Sequence, residues 1–192
     1  VEGPGGDTTR GMGWRDPRDG ETLMWKIVGR GKRTVMLDLK SVDGLAAMLR
    51  LAEWADVVVE NMRPGTMERL GLGPDVLLAR NPALVFVRVS GFGQDGPYAR
   101  RPGFATIAEA MSGLAGLLGE PDGAPLLPPI ALTDEIAALV GAFATMLALR
   151  HRDRSGEGQV VDVSLLDSIL QMMGPLPAAY ATHGYLQPRP GS

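Results

Sequence analysis

The sequence predicts an α/β protein in which a parallel sheet is covered by helices. Short β-branched segments alternate with helical segments at intervals of roughly 20 residues, which is typical of β-α-β units. Apolar residues make up 45% and charged residues 21% of the 192 residues, the proportions of an ordinary folded protein. No repeat, low-complexity tract or clear linker divides the chain, so one domain is expected.

The elements follow in order from a polar, glycine-rich N-terminal region, residues 1–33, whose apolar anchors are Trp14 and Trp25. Thr66 is expected to cap a short helix, and Asn81-Pro82 to end the next one. Strands are predicted at 34–39, 56–60, 83–90 and 159–163, and helices at 43–54, 67–70, 73–80, 107–118, 134–151 and 164–173.

Charge and composition exclude several classes of function. The formal net charge of −3 gives no basic excess for nucleic acid or for an anionic membrane. The chain has no cysteine and only two histidines, which argues against disulfides, thiolate or histidine metal sites, and a Ser-His-Asp triad. We therefore predict no metal.

No signal peptide or membrane span is expected, since the uncharged stretch Ile136–Leu149 is shorter than the ~20 residues needed to cross a bilayer. A cytoplasmic protein is therefore predicted. The loop-like ends, which begin at Val1 and finish at residues 188–192, suggest that the chain is a fragment.

The loop Gly91-Phe92-Gly93-Gln94-Asp95-Gly96 follows a predicted strand and matches G-x-G-x-x-G. A dinucleotide site also requires a helix that begins inside the glycine run. Pro97 and Pro102 prevent such a helix. We therefore predict a loop in which the backbone passes close to another group, and no NAD site.

A candidate site lies after the carboxyl ends of the predicted strands, where parallel sheets bind ligands. Lys40, Arg63 and Arg69, with the amide of Asn61 and flexible glycine backbone, form a plausible cradle for a phosphorylated anion. The alternative is that Lys40 and Arg63 are solvated loop charges, and both interpretations stay open at this point.

Asp134 begins the predicted helix 134–151, whose residues Ile136–Leu149 are apolar on every face, so this helix is expected to be buried. An acid in a first helical turn commonly does no more than favour the helix dipole. The alternative is a covalent nucleophile, which the dipole would help to keep ionised.

Four ordered motifs together resemble family III CoA-transferases, the CaiB/BaiF family, over nearly the whole chain. The first three motifs of the family are K-R-S-V-x-L-D-L-K, D-V-x-V-E-N-F-R-P-G and S-G-F-G-Q-x-G-P, and the fourth is a catalytic-aspartate helix followed by a T-G-x-G-Q-x-V-D-V strand. The matching segments here are residues 32–40, 56–65, 90–97 and, for the fourth, Asp134 with its helix, Arg150 and 155–163.

The resemblance implies a Rossmann-like parallel sheet covered by helices, in the large domain of a family III CoA-transferase. It implies that residues 1–192 are a part of that domain truncated at both ends. The first strand-helix unit and the C-terminal part, including a glycine loop over the active site, would be missing. Family members form intertwined homodimers.

The resemblance also implies an enzyme, an acyl-CoA:carboxylate CoA-transferase. Asp134 would attack an acyl-CoA thioester to give a mixed anhydride and then an aspartyl-CoA thioester, and an acceptor carboxylic acid would complete the transfer. Coenzyme A or acyl-CoA is then a substrate, and no permanently bound cofactor is expected. The CoA contacts that carry over from the family are Leu37, Lys40, Asn61, Met62 and Arg69.

Three positions depart from the family pattern: Gly29 stands where Asn is frequent, Met62 replaces Phe, and Ala105 replaces a common acid after Phe104. Two alternative functions remain, a 2-methylacyl-CoA racemase of the same superfamily and a non-catalytic CoA-binding module. In the racemase branch, the positions that correspond to 104 and 105 look to be a histidine followed by an acid. Phe104 and Ala105 cannot carry a proton, which favours the transferase.

Overall fold

The computed structural model describes residues 1–191, which form two compact units. The first unit is Val1–Leu51 and the second begins at Ala52. The boundary falls inside helix α2 (Val42–Trp54), and no linker signal in the sequence marks it.

The first unit contains little regular structure. A 3-10 helix spans Thr8–Gly11 and α1 spans Leu23–Val28. The buried carboxylate of Asp16 pairs with Arg18 at 2.6 Å and with Lys26 at 2.5 Å. These ion pairs hold the turn that leads into α1.

The strand predicted at 34–39 is wrong. Only Met36 forms a bridge, with Glu2, through hydrogen bonds of 2.9 Å from Glu2 N to Val35 O and from Leu37 N to Glu2 O. A strand needs a neighbour along its length. Within the described part of the first unit Glu2 alone fills that place, so the segment stays extended without joining a sheet.

The second unit is built on a parallel sheet, as predicted, and its strand order is β1-β2-β3. Its strands are β1 (Val57–Glu60), β2 (Val85–Ser90) and β3 (Gln159–Ser164). Glu60 pairs in register with Arg88, and Arg88 with Asp162. Because all three strands run the same way, their carboxyl ends share one edge of the sheet.

The helices of the second unit largely follow the predicted segments. Thr66 does not cap its helix as predicted, because Gly65, at φ 81°, occupies the N-cap position. The helix predicted at 107–118 is broken by Gly113, at φ 89°. The helices are α3 (Thr66–Arg69), α4 (Pro74–Arg80), α5 (Ala105–Met111), α6 (Leu114–Leu117), α7 (Leu132–Ser155), α8 (Leu165–Met172) and α9 (Leu176–His183).

The core of the second unit lies where α5, α7 and α8 pack against the sheet. Helix α7 buries Ala137, Gly141 and Ala148 there. Its opposite face is exposed at residues that include Leu139 and Phe143, so the prediction of a helix buried on every face is wrong for the described chain.

Helix α7 is also long and apolar enough to cross a membrane, with a mean hydropathy of 1.6 over its most apolar stretch. This is weak evidence for a membrane span, because core helices of soluble proteins can have the same length and composition. The helix packs on the sheet through its small residues.

Candidate functional site

Asp134 lies in the first turn of α7, beyond the carboxyl edge of the sheet. The short connection 156–158 makes α7 run antiparallel to β3. A Cβ on Gly141 would lie 3.6 Å from the side chain of Val163, near the end of β3. At a rise of 1.5 Å per residue, Asp134 is about 10 Å further along the helix.

Asp134 lines an open cleft of about 470 Å³ formed by α5, the segment before α7 and the start of α7. The wall is largely apolar, and Phe104 and Ile130 are 61% and 66% exposed. The lining residues are Phe104, Ala105, Thr106, Glu109, Leu127, Pro128, Pro129, Ile130, Ala131 and Asp134. A carboxylate beside apolar walls suits the recognition of an acyl group.

Glu109 supplies a second carboxyl group to this cleft. It is 3% exposed, and its Oε1 accepts hydrogen bonds from Thr133 N at 3.4 Å and from Thr133 Oγ1 at 3.1 Å. Thr133 is fully buried. A carboxylate from α5 therefore satisfies a backbone N–H in the first turn of α7, next to Asp134.

Neither Glu109 nor Thr133 is among the site residues predicted from the sequence. A signal was present, because Glu109 is an acid inside the apolar helical segment 107–111. An acid at such a position needs a buried partner, and the partner is 24 residues away along the chain.

The environment of Asp134 raises its pKa. Partial burial against the cleft wall is the largest cause, and the charges of Glu109 and Glu135 raise the pKa further. The helix dipole acts in the opposite direction, and the sequence suggests that it would dominate. In the structure the pKa of Asp134 is nevertheless raised, although its side chain remains accessible.

The start of the glycine loop 91–96 lies close to Gly103, near the end of the connection between β2 and α5. A Cβ on Gly91 would lie 2.7 Å from Gly103 Cα. Asp162 on β3 accepts a hydrogen bond of 2.7 Å from Gln94 N. The loop therefore makes the close backbone approach predicted from its glycines, and the next helix begins only at Ala105.

Three of the predicted CoA contacts lie in one segment of the second unit, after β1. Asn61 and Arg69 are exposed and Met62 is half-buried. Met62 N donates a hydrogen bond of 2.7 Å to Glu60 Oε2, and Arg69 Nη2 donates one of 2.8 Å to Thr66 Oγ1. Asn61 and Arg69 are therefore accessible to a ligand at this edge of the sheet.

Arg88 on β2 fixes this segment by pairing with both of its ends. Its Nε donates to Glu60 Oε1 and its Nη1 to Glu68 Oε1, each at 2.7 Å. Burial alone would lower the pKa of Arg88, but the hydrogen bonds with Glu68 and Glu60 outweigh it and raise that pKa. We call Arg88, Glu60 and Glu68 the Arg88 clamp, which is not among the features predicted from the sequence.

The other two predicted CoA contacts, Leu37 and Lys40, belong to the first unit. Leu37 is half-buried and Lys40 is exposed. Lys40 N donates to Asp38 Oδ1 at 3.0 Å, and Ser41 Oγ accepts from Gly44 N at 3.0 Å at the start of α2. The backbone of Lys40 is thus held in a hydrogen-bonded turn, while its side chain is exposed.

Among residues 1–191, no group of three or more histidine, aspartate or glutamate side chains is arranged to hold a metal ion.

Comparisons with known proteins bear on the family and the fold of the chain. The family model for CoA-transferase family III matches residues 1–192. The whole chain is 43% identical to the succinyl-CoA–L-malate CoA-transferase alpha subunit of Chloroflexus aurantiacus and covers 45% of that protein. Over 87% of its length it is 41% identical to the succinate–glutarate CoA-transferase of Agrobacterium fabrum and covers 43% of it.

A crystal structure of a CaiB/BaiF family protein from Brucella suis matches 98% of this chain with a TM-score of 0.91 at 33% identity, over 50% of that protein's chain. The chain thus spans about half the length of the relatives that it matches. The match of the family model over all 192 residues, supported by the fold, shows that the chain belongs to CoA-transferase family III.

Proposed function

We propose that this chain is part of an acyl-CoA:carboxylate CoA-transferase in which Asp134 is the covalent nucleophile. The observation that carries the proposal is the accessible carboxylate of Asp134 in a largely apolar cleft, with a pKa raised by its surroundings. Family membership and the names of the relatives support CoA transfer as the reaction class.

The proposed reaction needs no proton transfer, because the negative charge passes from the Asp134 carboxylate to the CoA thiolate and then to the released carboxylate. A carboxylate oxygen of Asp134 attacks the thioester carbonyl, a C–O bond forms, the C–S bond breaks, and CoA leaves as the thiolate. The thiolate then attacks the Asp134 carbonyl of the anhydride, which releases the first carboxylate and leaves an aspartyl-CoA thioester. The acceptor carboxylate repeats these two steps in reverse order and departs as the new acyl-CoA.

For CoA itself we propose contacts with Leu37, Lys40, Asn61, Met62 and Arg69. Lys40 and Arg69 are exposed cations suited to phosphate oxygens, and the segment with Asn61 and Met62 follows the carboxyl end of β1. The donor is an acyl-CoA and the acceptor a carboxylic acid. We also propose that the whole protein is a cytoplasmic homodimer.

The direct test replaces Asp134. In the whole protein, Asp134→Ala should abolish CoA transfer and change the free energy of unfolding little, because a first-turn acid contributes only about 0.3–1 kcal/mol through the dipole. Mass spectrometry after incubation with acyl-CoA should detect a CoA adduct on Asp134 of the unchanged protein. Glu135→Ala, in the same helical turn, is the control and should retain most of the turnover.

Near-normal turnover by Asp134→Ala would exclude the covalent mechanism. If CoA binds but neither turnover nor an adduct is found with the unchanged protein, the chain is better described as a CoA-binding module.

A racemase is the second candidate, and the cleft bears on it directly. Racemisation needs one group to remove a proton and another to deliver one on the opposite face. Phe104 and Ala105 line the cleft with Asp134 and carry no titratable group, and the second carboxyl group, Glu109, is engaged by Thr133. Deuterium exchange at the α-carbon of a 2-methylacyl-CoA in D₂O distinguishes the two activities. Rapid exchange without an acceptor acid would support the racemase.

A further inference from the structure

Glu109 is a buried acid that the proposed reaction does not consume. It is 3% exposed, and its Oε1 accepts two hydrogen bonds from Thr133, the residue before Asp134. Thr133 is itself fully buried. The start of α7, and with it the backbone of Asp134, is therefore tied to α5 through one carboxylate.

The charged groups around Asp134 share its sign. Glu109 from α5 and Glu135 from α7 act on Asp134, and both favour its neutral form. Helix α8 packs against α5 and α7, and its charged residue, Asp167, is exposed and does not contribute to the shift at Asp134. No cation among these helices shifts Asp134 in the opposite direction.

The proposed reaction converts Asp134 from an anion into neutral species. In the mixed anhydride the carboxylate of Asp134 is acylated, and in the aspartyl-CoA thioester its carbonyl carbon is bonded to the CoA sulfur, so the side chain has no charge in either form. The negative charge then resides first on the CoA thiolate and afterwards on the released carboxylate. Repulsion between Glu109 and Asp134 thus exists in the free enzyme and is relieved in both covalent intermediates.

We propose that Glu109 is a positioning residue for Asp134: its buried carboxylate fixes the first turn of α7 through Thr133 and favours the covalent intermediates over the free carboxylate. This inference rests on the proposed function of Asp134. The same repulsion from Glu109 would act against a mechanism in which Asp134 stays ionised throughout and only binds a ligand electrostatically.

Glu109→Gln separates the charge of Glu109 from its hydrogen bonds, since the amide oxygen can still accept from Thr133 N and Oγ1. We expect kcat to fall roughly tenfold, because the acylated forms lose their relative stabilisation. The acid limb of the pH profile of kcat/KM should move to lower pH, because removal of a like charge lowers the pKa of Asp134. The fraction of enzyme trapped as the CoA adduct should decrease, while KM for acyl-CoA should change little.

Two further variants make the test specific. Glu135→Gln removes an exposed charge from the same turn and should move the acid limb less than Glu109→Gln does. Glu109→Asp keeps the charge on a shorter side chain. It should form more of the CoA adduct than Glu109→Gln does, and its acid limb should lie closer to that of the unchanged protein. If Glu109→Gln does not fold, Glu109→Asp takes its place and should show a smaller shift in the same direction.

An unchanged acid limb and adduct fraction in a folded Glu109→Gln protein would overturn the proposal. Failure of the proposed function is distinguishable, because in that case Asp134→Ala itself would keep its turnover. If Asp134→Ala is inactive and Glu109→Gln is indistinguishable from the unchanged protein, only the role of Glu109 is wrong.

Discussion

At the scale of single residues, the cleft combines two carboxyl groups with opposite exposure. Asp134 is accessible and Glu109 is buried. The sequence predicts Asp134 as a candidate site residue, but it does not predict Glu109. Asp134 stands at the start of a long apolar helix, a local pattern. Glu109 acquires its role from Thr133, a contact between distant segments that local patterns do not encode.

The proposed CoA contacts lead to a prediction at the same scale. Lys40→Ala and Arg69→Ala should each weaken CoA binding by about 1.5–3 kcal/mol, because each removes a charged hydrogen-bond donor to phosphate. Isothermal titration of the whole protein with CoA measures the effect. Arg80→Ala is a matched control, since Arg80 is an exposed cation already paired with Glu53 at 2.6 Å. Unchanged affinity in both test variants would show that CoA binds elsewhere.

At the scale of elements, the sequence predicts segments well when their partners are also predictable. The strands Val57–Glu60, Val85–Ser90 and Gln159–Ser164 differ from the predicted ones only at their ends. The segment 34–39 is also largely apolar, but it lacks a neighbouring strand in the described part of its unit. Helix α9 was missed because Pro175 and Pro177 suggest a break, whereas proline is tolerated in a first helical turn.

The Arg88 clamp gives a prediction about stability. Arg88→Ala should lower the free energy of unfolding by about 3–5 kcal/mol, because it leaves the buried Glu60 carboxylate without its partner. The exposed pair Arg80–Glu53 offers the comparison, and Arg80→Ala should cost no more than about 1 kcal/mol. Urea unfolding at neutral pH measures both. Equal losses from the two variants would contradict the importance of burial.

The pH dependence of this clamp has a defined sign. Arg88 lowers the pKa of Glu68 below its ordinary value of 4.5. The stabilisation from this pair is therefore complete above that ordinary value and is lost as the pH falls through the lowered pKa of the folded state. Arg88→Ala should thus resemble the unchanged protein more closely in strong acid than at neutral pH.

At the scale of the whole molecule, the exposed side of α7 indicates an interface. Leu139, Phe143, Met146 and Leu147 are 73%, 68%, 63% and 56% exposed, and they recur on one side of the helix. Apolar patches of this kind mark surfaces that are covered in the functional protein. The apolar composition of this helix predicts that it is buried. Composition does not tell whether each face is covered by the same chain or by another one.

The 192-residue chain expressed alone should therefore associate or aggregate at micromolar concentration. Sedimentation velocity measures its state. A double variant, Leu139→Gln with Phe143→Gln, should reduce the association, because it removes apolar surface from one side of α7 without touching its buried residues Ala137 and Gly141. A stable monomer of the unchanged chain would count against the intertwined homodimer proposed for the whole protein.

The Arg88 clamp also has an evolutionary consequence. Because Glu60 and Glu68 both bind Arg88, the path between them has a fixed span, whereas Asn61 and Arg63 on that path are exposed. Insertions or deletions there would separate the two anchors, but side-chain replacements at the exposed positions Asn61 and Arg63 would leave them in place. The exposed positions of the segment can therefore diversify by substitution at constant length, while the fold around them is inherited unchanged.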